Sequence, residues 1–326
     1  MKRRYRKQNK ESVGTIMKNW TISILLACAM FFGLQCFSST NSLKFAQISD
    51  VHFYTGENNT TYKMIAESSK LLDDAIEQVN ETPNVAFTMF TGDLIDKPFE
   101  KELSAFLPHT EKLNTPWYFA FGNHDTMVGG YLNPRVYMDL VNNYNKNYKF
   151  EKSYYSFVPQ KGFKAIVLDT IIRDRLTSNG RLGDQQLAWL DNEIKSSPKD
   201  TILIFMHIPV LEPYNSPNHR LSDADKMEEI LNKYKNPIGV FQGHYHGAKI
   251  TQKENILYVS CPSMVTYPNA FRMITVTNFK NRVVFNIEDK ETRLKNIQKL
   301  AKLLIFSSSF YVGEEKDRNA TITIKK

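Results

Sequence analysis

From about residue 43 onward the chain alternates between two rhythms. Short, nearly continuous apolar runs recur at 43–49 (LKFAQIS), 85–91 (VAFTMFT), 117–122 (WYFAFG), 163–169 (FKAIVLD), 201–207 (TILIFMH), 238–243 (IGVFQG) and 256–260 (ILYVS). Runs of this length without polar alternation predict strands covered on both faces. Between several of them lie stretches with a helical apolar period, at 61–80, 184–195 and 222–234. Strand alternating with helix predicts an α/β fold with mixed sheet. Near the end, FRMITVTNF and RVVFNIED flank a two-residue Lys-Asn step. This predicts a hairpin belonging to a second sheet. No internal repeat or low-complexity tract interrupts the pattern.

The first 38 residues follow a different rule. A basic, polar head (MKRRYRKQNKESVGTIMKNW) precedes an apolar run (TISILLACAMFFGLQCF) and a small polar patch (SSTNS). That order predicts an export signal or an N-terminal membrane anchor, and hence an extracytoplasmic or membrane-held protein. Met17 is a second candidate start, and LLAC loosely resembles a lipoprotein cleavage box. Cys28 and Cys36 lie in this segment, so its removal would leave only Cys261 and no internal disulfide. Cys261 is then expected to be a small buried apolar residue.

Charge sharpens the division. The net charge of +8 is distributed as +6 in residues 1–38, +5 in 290–326 and −3 in the body between. A slightly acidic body is a poor footprint for a polyanion, which argues against a nucleic-acid partner. Three regions follow: a signal or anchor at 1–38, a globular body at 39–289, and a basic, amphipathic C-terminal helix and tail at 290–326. The tail is expected to pack on the body or to touch a membrane surface.

The chemistry sits where the apolar runs stop. Asp50 and His52 follow the first run, Asp93 the second (GDLID), Asn123, His124 and Asp125 the third (GNHD), His207 the fifth, and His244 and His246 the sixth (GHYH). In open α/β sheets, loops at the carboxyl ends of strands converge on a ligand even when far apart in sequence. Each fragment alone is ordinary turn chemistry. Together they place imidazoles and carboxylates at one sheet edge, which a two-metal site requires. His109 and His219 fall outside this set and are expected to be surface or packing residues. Thr266 and Tyr267, shortly after the last of these loops, are further candidates for a pocket wall.

The ordered set Asp-x-His, Gly-Asp, Gly-Asn-His-Asp, His, Gly-His-x-His resembles the signature of the calcineurin-like metallophosphoesterases over roughly residues 44–250. The resemblance implies a four-layer α/β/β/α sandwich of two mixed sheets flanked by helices, with 39–289 as the catalytic domain. It implies two divalent or transition metal ions, Mn, Fe or Zn, one held by Asp50, His52, Asp93 and His246, the other by Asp93, Asn123, His207 and His244. Asp93 would bridge them. A metal-bridging hydroxide would attack phosphorus in line, His124 would act as general acid on the leaving oxygen, and Asp125 would orient it.

Departures from the pattern narrow the implied activity. Protein phosphatases of the superfamily carry Gly-Asp-x-x-Asp-Arg-Gly, whereas here Lys97 and Pro98 follow Asp96. Purple acid phosphatases read Gly-Asn-His-Glu and add a tyrosine ligand that this chain lacks. What remains is a hydrolase of a small phosphoester substrate, with a 3',5'-cyclic-nucleotide or phospholipid-type phosphodiesterase, or a metal-binding module without catalysis, as alternatives.

Overall fold

The computed structural model describes residues 40–305 and 308–326. The segment read as a signal or anchor lies outside the described residues. No helix among the described residues is long and apolar enough to cross a membrane.

Two six-stranded mixed sheets face each other. The first has the order β12-β11-β10-β1-β2-β3, where β1 is Asn41–Ile48, β2 Phe87–Thr91, β3 Trp117–Ala120, β10 Ala270–Asn278, β11 Arg282–Glu291 and β12 Ala320–Lys325. The second has the order β4-β5-β6-β7-β9-β8, from β4 Tyr155–Gln160, β5 Phe163–Val167, β6 Thr201–Phe205, β7 Ile238–Gln242, β8 Lys249–Lys253 and β9 Ile256–Ser260. With helices on the outer faces this is the four-layer sandwich that the family resemblance implied. Every residue of β2, β6, β7 and β9 is buried. Continuous apolar runs have no solvated face to display, so they fill the two-sided middle of the sandwich. Aromatic rings join the layers: Phe45 of β1 stacks on Phe87 of the same sheet at 5.0 Å and meets Phe205 and Phe241 of the other edge-on at 5.4 and 5.1 Å.

Three features depart from the sequence pattern. The hairpin of β10 and β11 forms, but it belongs to the first sheet: β10 pairs antiparallel with β1, Phe45 opposite Ile274. The parallel neighbour β2 occupies one edge of β1 and leaves the other open, and the hairpin satisfies that edge. The segment after residue 290 contains a helix at Lys295–Leu304, but it then returns as β12 to pair with β11. Finally, the helical period beginning at residue 61 yields a helix only over Ser68–Glu81, after a 3-10 turn at Ile65–Glu67. The Met64 N–H donates to the Val265 carbonyl at 2.7 Å, and this long-range bond draws residues 62–64 off the helix axis. The edge strands of the second sheet, β4 and β8, are not announced by an apolar run, because each keeps partly exposed positions.

Candidate metal centre

Five strands end at one edge of the sandwich: β1, β2 and β3 from the first sheet, β6 and β7 from the second. The loops that follow them interleave. Asp50 N–H donates to the Gly92 carbonyl at 3.0 Å, and His52 N–H to the Asp93 carbonyl at 2.9 Å. Asp50 also accepts the His244 N–H, at 3.1 Å on one carboxylate oxygen and 3.2 Å on the other. These contacts hold an unusual backbone. Asp50, His52, Asp93, His244 and His246 all lie in the left-handed region, with φ of 52°, 43°, 52°, 73° and 57°. Non-glycine residues adopt it at about 1–2 kcal/mol each, so a cluster of five marks a site built at the expense of the local chain. The conformation turns the side chain away from its strand direction and into the edge. Gly122 serves the same end by absence: a Cβ there would collide with the Asp93 backbone and carboxylate.

All seven residues expected to bind metal are brought together, and none is more than 8% exposed. His246 Nε2 lies 3.1 Å from His52 Nε2 and 3.3 Å from Asp50 Oδ1. His207 Nε2 lies 3.2 Å from both Asn123 Oδ1 and His244 Nδ1. One atom joins the groups, since Asp93 Oδ2 is 3.6 Å from His52 Nε2 and 3.3 Å from His207 Nε2.

These spacings fit cations. Donor atoms each about 2.1 Å from a shared ion stand roughly 3–3.5 Å from one another. Imidazole nitrogens that converge at this distance gain nothing from each other unless a proton or a metal lies between. Imidazole, carboxylate and amide oxygen together suit Zn, Mn or Fe. The electrostatics agree. Burial alone would raise Asp93, but His207, His124 and His52 hold its carboxyl well below the usual range. Burial would lower His207, yet Asp93 and Asp50 outweigh it and raise the imidazole to about 9. His244 is driven well down by burial and by His207. The carboxylates thus demand a positive charge that the imidazoles cannot all carry.

His124 stands at the cleft side of this group, its backbone N–H on Asp93 Oδ1 at 2.8 Å. Its Nδ1 donates to the Asp96 main-chain oxygen at 2.7 Å, which leaves Nε2 for the cleft. Asp125, expected to orient His124, is otherwise engaged. It accepts N–H groups from Gly122 at 2.7 Å, Leu94 at 2.8 Å and Ile95 at 3.2 Å, and the Tyr137 hydroxyl at 3.3 Å. Asp125 therefore splices the loops after β2 and β3, while Asp96 takes the orienting contact. Burial and the Asp93 charge lift the Asp125 carboxyl to about 7, against the pull of its N–H donors.

Asp96 was legible only as part of the GDLID turn. Its Oδ1 also lies 3.1 Å from His52 Nδ1. Lys63 carried no sequence signal, yet its ammonium lies 3.2 Å from His52 Nε2. Burial lowers the Lys63 pKa while Asp93, Asp96 and Asp50 oppose the fall. Thr266 is buried with its hydroxyl 2.7 Å from His246 Nδ1, so it fixes that ring rather than lining the pocket. Of the two histidines set aside, His109 is a packing residue paired with Asp73 at 2.6 Å. His219 lines the cleft, its ring 5.1 Å from that of His244.

A family model described as calcineurin-like phosphoesterase matches residues 43–248. A probable glycerophosphodiester phosphodiesterase of Arcobacter nitrofigilis is 23% identical over 223 residues, covering 67% of this chain and 77% of that protein. A 3',5'-cyclic-nucleotide phosphodiesterase of a Nostoc species is 25% identical over 232 residues, covering 68% and 78%. Among solved structures, a dimetal phosphatase from Danio rerio superposes with a TM-score of 0.60 at 18% identity, covering 77% of this chain and 98% of that one. That likeness is one of fold.

Proposed function

This chain belongs to the calcineurin-like phosphoesterase family, a group of metal-dependent hydrolases, and from that premise we propose that it cleaves a small phosphodiester at a two-metal centre. The observation that carries the proposal is Asp93 Oδ2, which faces both donor groups at 3.6 and 3.3 Å. Asp50, His52, Asp93 and His246 would hold one ion, and Asp93, Asn123, His207 and His244 the other. When bound, such ions lower the pKa of a water and withdraw charge from the phosphoryl oxygens.

The chain's own groups do the rest. As the P–O bond to the leaving group breaks, the proton on His124 Nε2 passes to the departing oxygen. The contact with the Asp96 carbonyl keeps Nδ1 protonated and the ring turned toward the cleft. Among the described residues that line the cleft, Lys63 carries the only ammonium or guanidinium group. It would face the phosphoryl oxygens in place of the arginine that protein phosphatases use. A non-catalytic metal module would have no use for a histidine oriented in this way.

Metal-loaded protein assayed with 3',5'-cyclic AMP, glycerophosphoethanolamine and a phosphomonoester tests the reading. Diester cleavage that disappears on chelation and returns with Mn, Fe or Zn is expected. Turnover of the monoester alone, or of none of the three with any of these metals, would overturn it. We further propose that residues 1–38 place this activity outside the cytoplasm, on the strength of their sequence. Fractionation that finds an intact, freely soluble cytoplasmic chain would refute the placement.

A further inference from the structure

The cleft over the metal-ligand loops, about 200 Å³ in volume, has a wall that hydrolysis itself does not use. Besides Tyr245 of the metal loop itself, three tyrosines from separate parts of the chain stand there: Tyr62 before the first helix, Tyr214 in the loop after β6, and Tyr311 in the C-terminal segment. The Tyr62 ring is 6.4 Å from that of His246, which puts the wall next to the ligands. Tyr62 and Tyr311 are near parallel, 6.3 Å apart with 30° between planes, and Tyr214 stands across Tyr311 at 76°.

Tyr311 is held in register with the metal loop. Its carbonyl accepts the Ala248 N–H at 2.9 Å, two residues beyond His246. Further along, Asp317 accepts the Ile250 N–H and the Lys249 ammonium, each at 3.2 Å. The fully buried Arg272 donates to the Asp317 carbonyl at 2.7 Å and pairs with Asp289 at 3.0 Å. The C-terminal segment is thus strapped across the loop that carries His244 and His246.

Rings 6.3 Å apart and 30° from parallel lie within the range of direct aromatic pairing, so in this structure the two tyrosines pack on each other, with Tyr62 39% exposed at the mouth of the cleft. A flat ring makes van der Waals contact at about 3.5 Å on each side, so a base entering between the tyrosines would replace their mutual contact with one on each of its own faces, the rings parting to about 7 Å. A tetrahedral quaternary ammonium needs roughly 9 Å between the same faces, and Lys63 beside it would repel the charge. Resting on the phosphodiester reading above, we propose that Tyr62 and Tyr311 form a stacking clamp for a planar base, so that the preferred diester is a nucleotide rather than a glycerol diester.

The experiment separates this inference from hydrolysis itself. Binding of AMP and of ribose 5-phosphate to the full-length, metal-loaded protein is measured by calorimetry in wild type, Tyr62→Leu, Tyr311→Leu and Tyr311→Phe. Wild type is expected to prefer AMP by about 10-fold or more, the effect of one stacked base. Either leucine variant should reduce that preference to about 2-fold, and phenylalanine should retain it, since it keeps the aromatic face. In turnover, the leucine variants should lose about 10-fold in kcat/KM on 3',5'-cyclic AMP and little on glycerophosphoethanolamine. Equal binding of the two phosphates by wild type, or an unchanged preference in both leucine variants, overturns the clamp whether or not the protein turns over diesters. An equal loss on both diesters also overturns it, by reducing the tyrosines to structural supports. Absence of all turnover with the AMP preference intact sinks the hydrolytic reading and leaves the clamp standing.

Discussion

The floor and the wall of one cleft are built by opposite means. The floor is made of short loops that directly follow strands, and five of its seven ligand candidates sit in left-handed backbone that the interleaved loops enforce. The wall is made of tyrosines contributed by residues 62, 214 and 311, none of them in a shared motif, on segments of ordinary conformation. The floor keeps its polar atoms out of water; the wall leaves Tyr62 39% exposed. Chemistry that must hold charge in a dry place fixes both residue type and spacing, whereas a surface that offers only ring faces can be assembled from any loop that reaches it. The first should fail for every substrate when damaged, and the second for some.

The largest effect should come from the floor. Asp93→Ala removes the oxygen that faces both donor groups, so metal content should fall at both sites and hydrolysis of every ester by at least about 10³-fold. Elemental analysis that finds two full equivalents in this variant would remove Asp93 from the bridge. Chelation should also lower the melting temperature of wild type, because binding energy at a preformed site is folding energy, and should change that of Asp93→Ala far less.

His124→Ala tests a residue on the boundary between floor and cleft. Loss of a general acid should cost about 10²–10⁴-fold on an alkyl phosphoester and much less on an aryl ester whose phenol leaves without help. Metal content should stay constant. His207→Ala serves as the contrast, since an emptied metal position injures both esters alike; equal losses for His124→Ala would class it with the ligands.

Lys63→Met should cost about 10-fold in kcat/KM on nucleotide and glycerol diesters equally, because an ammonium facing the phosphoryl group is blind to the leaving group. A loss confined to one diester would move Lys63 from the floor to the wall.

The smallest effect should follow from loosening the strap. Asp317→Ala removes the acceptor for the Ile250 N–H and the Lys249 ammonium, at a cost of about 1–3 kcal/mol. Amide exchange over residues 308–318 should quicken, and discrimination between AMP and ribose 5-phosphate should narrow. Metal stoichiometry and turnover of a small aryl ester should hold within about 2-fold. Unchanged exchange would show that Arg272 and the Ala248–Tyr311 backbone bond hold the segment without the Asp317 carboxylate.

Much of the floor was legible in the sequence because its cause is local. An apolar run must be a covered strand, a glycine must follow where another backbone comes close, and Asp, Asn or His must come next if the edge is to bind a cation. Gly92-Asp93 and Gly122-Asn123 are such pairs, and Gly122 is glycine because Asp93 occupies the space of its side chain. The contact of His124 was less legible. Asp125 is its neighbour in sequence, but the helical turn at Asn123–Thr126 points the Asp125 carboxylate back onto the N–H groups of residues 94, 95 and 122. Asp96, 28 residues away in sequence, supplies the acceptor instead.

By itself, then, the sequence determined the strand and helix alternation, the strand-end loops and the residue types gathered in them. These follow from periodicity and turn chemistry, which act over a few residues. Only the tertiary structure decided which sheet received the C-terminal hairpin, which carbonyl turned His124, and that Tyr62 and Tyr311 stack beside one cleft. Those outcomes depend on contacts between residues up to 249 positions apart, such as the Tyr62–Tyr311 pair. A side chain's neighbours at that separation are set by how layers pack and edges close, and no local pattern encodes them.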